Sequence, residues 1–338
     1  MWGRTSRAEF MTRASEHGFT VEQLRQCVEE RLQRVPEQLS PQGVLCQIVA
    51  YVVRLPGKRM RPLLCMLASG SEGASPMEAL EAAVAVELFH AFTLVHDDIM
   101  DRSLLRRGQP TVHHAWGEPL AILAGDVLLG LCYRLLERYR EHPGFGELIG
   151  VMSSAVLEVS EGQALDLELP QRQPRLEEYW RVIEGKTVAL LQAALEMGAI
   201  VGHVGRKTRE QLQRLGFHLG RAFQVQDDVL DLTGTEEELG KPVGQDLREG
   251  KLTYPVIRAL ELAPEHPLLV RYRQQRGARP EEIPAMVALL DELGTLQEAR
   301  QLVAQEYAQA MQILEQLPQT PAQHLLRELI AQLEQRSY

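Results

Sequence analysis

The chain has 338 residues, 45% hydrophobic and 24% charged, with 36 Lys+Arg against 46 Asp+Glu for a formal charge of −10. That composition excludes an intrinsically disordered chain, and the length lets folding remove roughly 75% of the unfolded surface from water without staples. The acidic balance argues against nucleic acid as a general partner, because phosphate backbones attract basic surfaces.

The first twenty residues, Met1 to Thr20, are polar and contain no apolar stretch of the signal-peptide kind. Thr20-Val21-Glu22-Gln23 then reads as a helix start, an N-cap hydroxyl with a Gln that can close a capping box. Pro56-Gly57 breaks the chain, and Ser75-Pro76-Met77-Glu78 opens another helix, with Leu80, Val84, Leu88 and Phe92 at helical spacing. After a break at Gly108-Gln109-Pro110 comes the most apolar run, Pro119 to Cys132, which Asp126 interrupts. No run reaches the roughly 18 residues of a membrane span. Further breaks fall at Pro170 to Pro174, Thr233 to Gly244 and Gly277 to Pro280. Between them, Leu212, Leu215, Leu219, Phe223 and Val225 mark a second apolar helical stripe, and Thr295-Leu296-Gln297-Glu298 after Gly294 predicts a late N-cap.

No segment alternates in the manner of a strand, and helix lengths show no fixed repeat. The pattern predicts an all-α chain of a dozen or so helices forming one domain over residues 1–338, since no linker divides it. The helix ending near Asp101 is apolar on most faces and should be central. Cys27, Cys46, Cys65 and Cys132 form no C-x-x-C, which predicts reduced thiols rather than zinc ligands. Gln335-Arg336-Ser337-Tyr338 offers no prenylation cysteine, so a soluble, cytoplasmic protein is expected.

The most informative feature occurs twice. His96-Asp97-Asp98-Ile99-Met100-Asp101 ends one apolar helix, and Gln226-Asp227-Asp228-Val229-Leu230-Asp231 follows 130 residues later. Asp97 and Asp101 share a helix face at i and i+4, as do Asp227 and Asp231. Carboxylates held among Leu94, Val95, Ile99, Val225 and Val229 need a cation to offset desolvation and mutual repulsion. Oxygen-only ligands at this spacing suit Mg²⁺, which takes one or two carboxylates, keeps waters and completes its shell with phosphate oxygens. Two such sets imply a diphosphate substrate, which also requires fixed positive charge. Lys58, Arg59 and Arg61 follow the Pro56-Gly57 break, Arg106 and Arg107 follow the first motif, Lys186 follows Gly185, and Lys241 and Lys251 follow the second motif. Arginine forks match phosphate oxygens, and lysines act as compact charges.

These residues resemble the trans-prenyl diphosphate synthases, the family of farnesyl, geranylgeranyl and longer polyprenyl synthases. The likeness runs from about Gly57 to Tyr254 and is carried by Gly57-Lys58-Arg59-Met60-Arg61-Pro62, the first aspartate motif with Arg106-Arg107, and Gly185-Lys186-Thr187. It continues through Phe223-Gln224-x-x-Asp227-Asp228-x-x-Asp231 and Gly240-Lys241 to Asp246 and Gly250-Lys251. Residues 255–338 are compatible with C-terminal helices of the same domain. The resemblance implies helices around a deep central cavity, a homodimer, and condensation of isopentenyl diphosphate with an allylic diphosphate. By the same resemblance, Asp97, Asp101 and Asp227 bind Mg²⁺, with Asp98, Asp228 and Asp231 completing the catalytic motifs. Arg106, Lys186, Thr187, Gln224, Lys241 and Lys251 serve the allylic diphosphate, Lys186 also aiding its ionisation. Lys58, Arg61, His90 and Arg107 serve isopentenyl diphosphate. Pro56 stands where many relatives have a second glycine, which stiffens the loop but removes no charge.

The resemblance also implies that residues upstream of the first motif set product length. At about 1.5 Å rise per residue, Phe92 lies roughly 7 Å and Phe89 roughly 12 Å along the helix from the aspartates, with Thr93 between Phe92 and the motif. One aromatic five residues upstream, Thr93 four upstream and no insertion in the motif resemble the geranylgeranyl type, predicting a C20 product over C15. A terpene cyclase would share only the first motif, and an HD-type phosphohydrolase would need further histidines. A silent subunit of a heteromeric synthase would be expected to lack some of these aspartates or cations, and none is missing.

Overall fold

The computed structural model describes residues 18–169, 175–235 and 243–335, so Gly240-Lys241 and the break at Pro170 to Pro174 lie outside the described residues. The main helices are α1 (Val21–Gln33), α2 (Val44–Arg54), α3 (Met60–Ser69), α4 (Leu80–Met100), α5 (Glu118–Leu136), α6 (Phe145–Glu168) and α7 (Leu176–Ile183). They continue as α8 (Ala189–Val201), α9 (Arg206–Thr233), α10 (Tyr254–Leu262), α11 (Pro267–Gln275), α12 (Ile283–Glu292), α13 (Thr295–Glu315) and α14 (Pro321–Glu334). Single helical turns occupy Val112–Trp116 and Gln245–Arg248.

The predicted caps form at two of three sites. Thr20 Oγ1 accepts from the Gln23 amide while the Gln23 side chain accepts from the Thr20 amide, and Ser75 with Glu78 closes a box on the short 3₁₀ turn before α4. Thr295 is not the N-cap. Gly294 takes that place at φ +75°, and the Thr295 hydroxyl donates back to Leu290 O at 3.0 Å. The left-handed glycine joins α12 directly to α13 and leaves no extended residue for a side-chain cap. Nothing in the residue pattern announces a two-stranded ribbon that pairs Leu105 with Pro110 and Arg106 with Gln109. Its turn, Arg107-Gly108, has φ of +52° and +73°, the doubly positive backbone of a tight hairpin.

Helix α8 is buried along nearly its whole length and packs against α3, α4, α6 and α9. Around it runs one apolar core drawing on α1 to α10, α13 and α14, while the other face of α10 gathers with α11 and α12 about a second cluster containing Val256, Leu269, Met286 and Leu290. Two segments, Pro76–Met100 and Glu118–Tyr139, are long and apolar enough to cross a membrane by length and composition. This corrects the expectation that no run is long enough, which follows only if every charged residue is taken to end a run. Both lie against the core, α4 and α5 packing along their lengths, and core helices pass the same test.

Between α7 and α8 the helix widens into a π-turn, Glu184–Val188. Gly185 causes this, together with Gly162 of α6. A Cβ on Gly185 would stand 2.9 Å from Gly162 Cα, and one on Gly162 would stand 2.5 Å from the Lys186 amide nitrogen. Two facing glycines let the backbones touch, and the π-turn aims Lys186 into the space above α8.

Candidate active site

Two clefts of about 730 and 700 Å³ open above α8 and share Lys58, Leu94, Asp97, Arg106, Lys186, Gln224 and Asp227. The first is acidic, with Asp97 of α4 and Asp101 at its C-cap facing Asp227 and Asp228 from α9, and with Asp166 and Asp246 completing the ring. The second is basic, lined by Lys58, Arg61, His90 and Arg107, with an apolar wall of Met60, Val159, Leu190 and Phe223.

The six motif aspartates do not act alike. Asp97, Asp101 and Asp227 line the acidic cleft. Asp98, 3% exposed, turns to the far side of α4 and takes Arg106 Nε at 2.8 and 3.0 Å. Asp231 is buried and accepts from the Asp246 amide at 3.0 Å. Neither lines either of these two clefts: Asp98 stands about 100° round the helix from Asp97, and Asp231, one turn beyond Asp227 on the same face, is taken up by the Asp246 amide. Asp228 is intermediate. Its carboxylate accepts from Tyr179 Oη at 2.8 Å, Gln224 Nε2 at 3.0 Å and the Tyr254 amide at 3.0 Å, and burial still pushes it up to about 7. Burial likewise raises Asp97, opposed chiefly by Lys186.

Lys186 Nζ sits 2.9 Å from Asp166 and 3.7 Å from Asp97, so it bridges α6 and α4 across the acidic cleft. Lys251 pairs with Glu249 at 2.8 Å and reaches Asp246 at 3.7 Å. Thr187 Oγ1 donates to Gln224 Oε1 at 2.9 Å, so these two predicted ligands hold each other. Arg106 lines both clefts while bound to Asp98, and Arg107 donates to Pro56 O. Lys241 lies outside the described residues.

In the basic cleft Arg61 Nη1 is 3.3 Å from His90 Nε2. Since guanidinium only donates, His90 accepts there and carries its proton on Nδ1. Burial, then Arg61 and Arg107, hold His90 well below its ordinary value, leaving it neutral at pH 7. Among the described residues the buried Arg61 Nε has no acceptor, an orphaned cationic donor that calls for an anion. Thr93 lines this cleft. Phe89 and Phe92 do not: they stack at 5.6 Å on the adjoining strip of α4, with the His96 ring edge-on to Phe92 at 4.9 Å.

Among the described residues no three carboxylates converge tightly enough to cage a metal by themselves. The donor set instead suits a hard cation that keeps waters and borrows phosphate oxygens.

A family model described as Polyprenyl synthetase matches residues 42–290. The chain belongs to this family. It is 43% identical over 236 residues to the short chain isoprenyl diphosphate synthase of Methanocaldococcus jannaschii, covering 69% of this chain and 72% of that one. With the geranylgeranyl diphosphate synthase of Methanosarcina mazei it shares 39% over 290 residues, 85% and 88% of the two chains. A crystal structure of geranylgeranyl pyrophosphate synthetase from Pyrococcus horikoshii superposes with a TM-score of 0.87 at 32% identity, over 97% of this chain and all of that one. The all-α architecture predicted from sequence is thus the one its relatives carry.

In this polyprenyl synthetase the structure adds residues that sequence reasoning passed over. Gln163 and Asp166 line the clefts from α6, Tyr179 holds Asp228, and Glu87, largely buried, lines the basic cleft. A signal existed for the first two: polar residues at i and i+3 on a largely apolar helix. None existed for Tyr179, whose role depends on a partner 49 residues away.

Proposed function

We propose that this chain condenses isopentenyl diphosphate with an allylic diphosphate to give a short-chain all-trans prenyl diphosphate, C20 geranylgeranyl diphosphate being the main product. The observation that carries this reading is the joining of an acidic and a basic cleft through Asp97, Asp227 and Lys186. One substrate needs its diphosphate neutralised for departure, and the other needs its diphosphate held intact nearby.

Asp97, Asp101 and Asp227 would hold Mg²⁺. When bound with the diphosphate, it supplies charge neutralisation to the leaving pyrophosphate. Lys186 and Arg106, with Lys251 behind, place fixed positive charge where the leaving group gathers negative charge. The allylic C–O bond breaks with its electron pair on pyrophosphate. Lys58, Arg61 and Arg107 orient the second diphosphate so that the isopentenyl double bond attacks the allylic cation, and the proton then lost passes to pyrophosphate. Leu94, Val159, Leu190 and Phe223 present no nucleophile to that cation. Residues 1–338 are read as one domain, acting in the cytoplasm without a membrane span.

Incubation with isopentenyl diphosphate, Mg²⁺ and C5, C10 or C15 starters, followed by product sizing, tests the reading. C20 product from the chain alone supports it, and no pyrophosphate release with any starter defeats it. Phe92→Ala is expected to lengthen the product, because loss of the ring beside Thr93 deepens the space below the aspartates. Unchanged length would remove Phe92, with Phe89 stacked behind it, from chain-length control.

A homodimer fits the surface of α5 and α6. Ile122 and Leu123 are 43% and 49% exposed on α5, and Leu157 and Leu167 are 65% and 46% exposed on α6. Tyr133 and Ser153 meet at 3.4 Å between these helices, so both stripes belong to neighbouring elements. Light scattering is expected to give the mass of two chains, and Leu157→Glu the mass of one. A monomeric parent would exclude the dimer.

A further inference from the structure

The loop that carries Lys58 lies between α2 and α3, and its position determines where Lys58 and Arg61 meet a diphosphate. Arg59 lies within it and touches the basic cleft, but its guanidinium is spent on protein acceptors. It is 6% exposed and adopts φ +51°, the left-handed backbone, as the N-cap of α3. Its guanidinium donates to Glu29 Oε1 of α1 at 2.7 Å, Glu87 Oε1 of α4 at 2.8 Å, Val53 O at 3.1 Å and Leu55 O at 2.9 Å. From the other side Arg107 donates to Pro56 O. Gly57 lies between the two forks: a Cβ there would stand 2.7 Å from Arg107 Nη1 and 3.0 Å from Arg59 Nη1. Arg25 of α1 adds a contact to Lys58 O at 3.4 Å.

We infer that Arg59 is a positioning residue for the isopentenyl diphosphate site, acting by clamping the Val53–Leu55 end of α2, from which the Lys58 loop departs, against Glu29 and Glu87. This rests on the proposed assignment of Lys58, Arg61 and His90 to that substrate. Three features separate the inference from simple ion pairing. The fork grips two carbonyls where α2 runs into the loop, which a pair made only for stability does not require. It reaches across to Glu87, which lies one helical turn from His90 and lines the same basic cleft. Its backbone is left-handed, a conformation kept by an arginine where glycine would fit with less strain. The side chain, and not the backbone, is therefore the reason for the residue.

Arg59→Gly keeps the backbone and removes the fork, Arg59→Lys keeps the charge and removes the bidentate geometry, and Glu29→Gln weakens one anchor on the α1 side. Steady-state kinetics of the full chain would vary each substrate separately, with circular dichroism to confirm folding. The KM for isopentenyl diphosphate is expected to rise about tenfold to a hundredfold in Arg59→Gly, less in Arg59→Lys and least in Glu29→Gln. The allylic KM and the half-saturating Mg²⁺ concentration should stay within about twofold of the parent. Equal rises in both KM values, or a fall confined to kcat, would overturn the clamp. If Arg59→Gly does not fold, the other two variants decide by the same split. Lys58→Ala is measured in parallel. An unchanged isopentenyl KM there sinks the site assignment, whereas a raised one beside unchanged Arg59 variants sinks only the clamp.

Discussion

Asp97→Ala is expected to lower kcat about 10³-fold, with a folded protein and a raised requirement for Mg²⁺. Asp97 is the carboxylate of the first motif that belongs to both clefts, and it lies 3.7 Å from Lys186 Nζ. Burial raises its pKa, so folding opposes its charge, and the neighbouring cation offsets part of that penalty. Removing the carboxylate relieves the desolvation and leaves Lys186 paired with Asp166 at 2.9 Å, so thermal stability should change little. What is lost is the group that draws a divalent cation to the diphosphate. Pyrophosphate release measured across a Mg²⁺ series checks both effects. A fall of less than tenfold, or an unchanged Mg²⁺ requirement, would mean that the metal reading of the first motif is wrong.

Gly185→Val should be nearly as damaging through a different cause. The added Cβ would stand 2.9 Å from both Glu158 O and Gly162 Cα, and neither backbone atom can yield without moving α6. Overpacking of this kind costs about 1 to 3 kcal/mol of stability, and it displaces the π-turn that aims Lys186. A shift of roughly an ångström at Lys186 would lower activity about 100-fold. Thermal melting and kinetics together check this. Gly146→Ala is the control, because a Cβ there meets nothing within 4 Å. If the Gly185→Val protein kept most of the parent activity, the π-turn would tolerate movement and its glycines would serve packing alone.

Much of this site is legible in the sequence because its signals are local. The aspartates fall at i and i+4, the cations fall in breaks marked by Gly and Pro, and α4 and α9 advertise themselves by apolar periodicity. What spacing along the chain leaves open is the direction in which a side chain points. Arg59 reads as one more cation for the substrate, yet it turns inward to Glu29 and Glu87. Phe89 and Phe92 are expected as a floor; they stack on the strip of α4 that adjoins the cleft lining at Thr93, and the product length of Phe92→Ala decides their part.

The sequence by itself determined that the chain is helical, that two carboxylate sets end two apolar helices, and that acidic and basic groups are paired in the way diphosphate substrates require. Those conclusions need only residue type and spacing along the chain. Tertiary structure alone decided that Asp97, Asp101 and Asp227 face the cleft while Asp98 and Asp231 are held by Arg106 and the Asp246 amide. It alone brought Asp166 to Lys186 and Tyr179 to Asp228. Helical periodicity fixes the angles between side chains but not which neighbour stands at each angle, and that depends on how α4, α6 and α9 pack around α8 and α7 packs against α6 and α9.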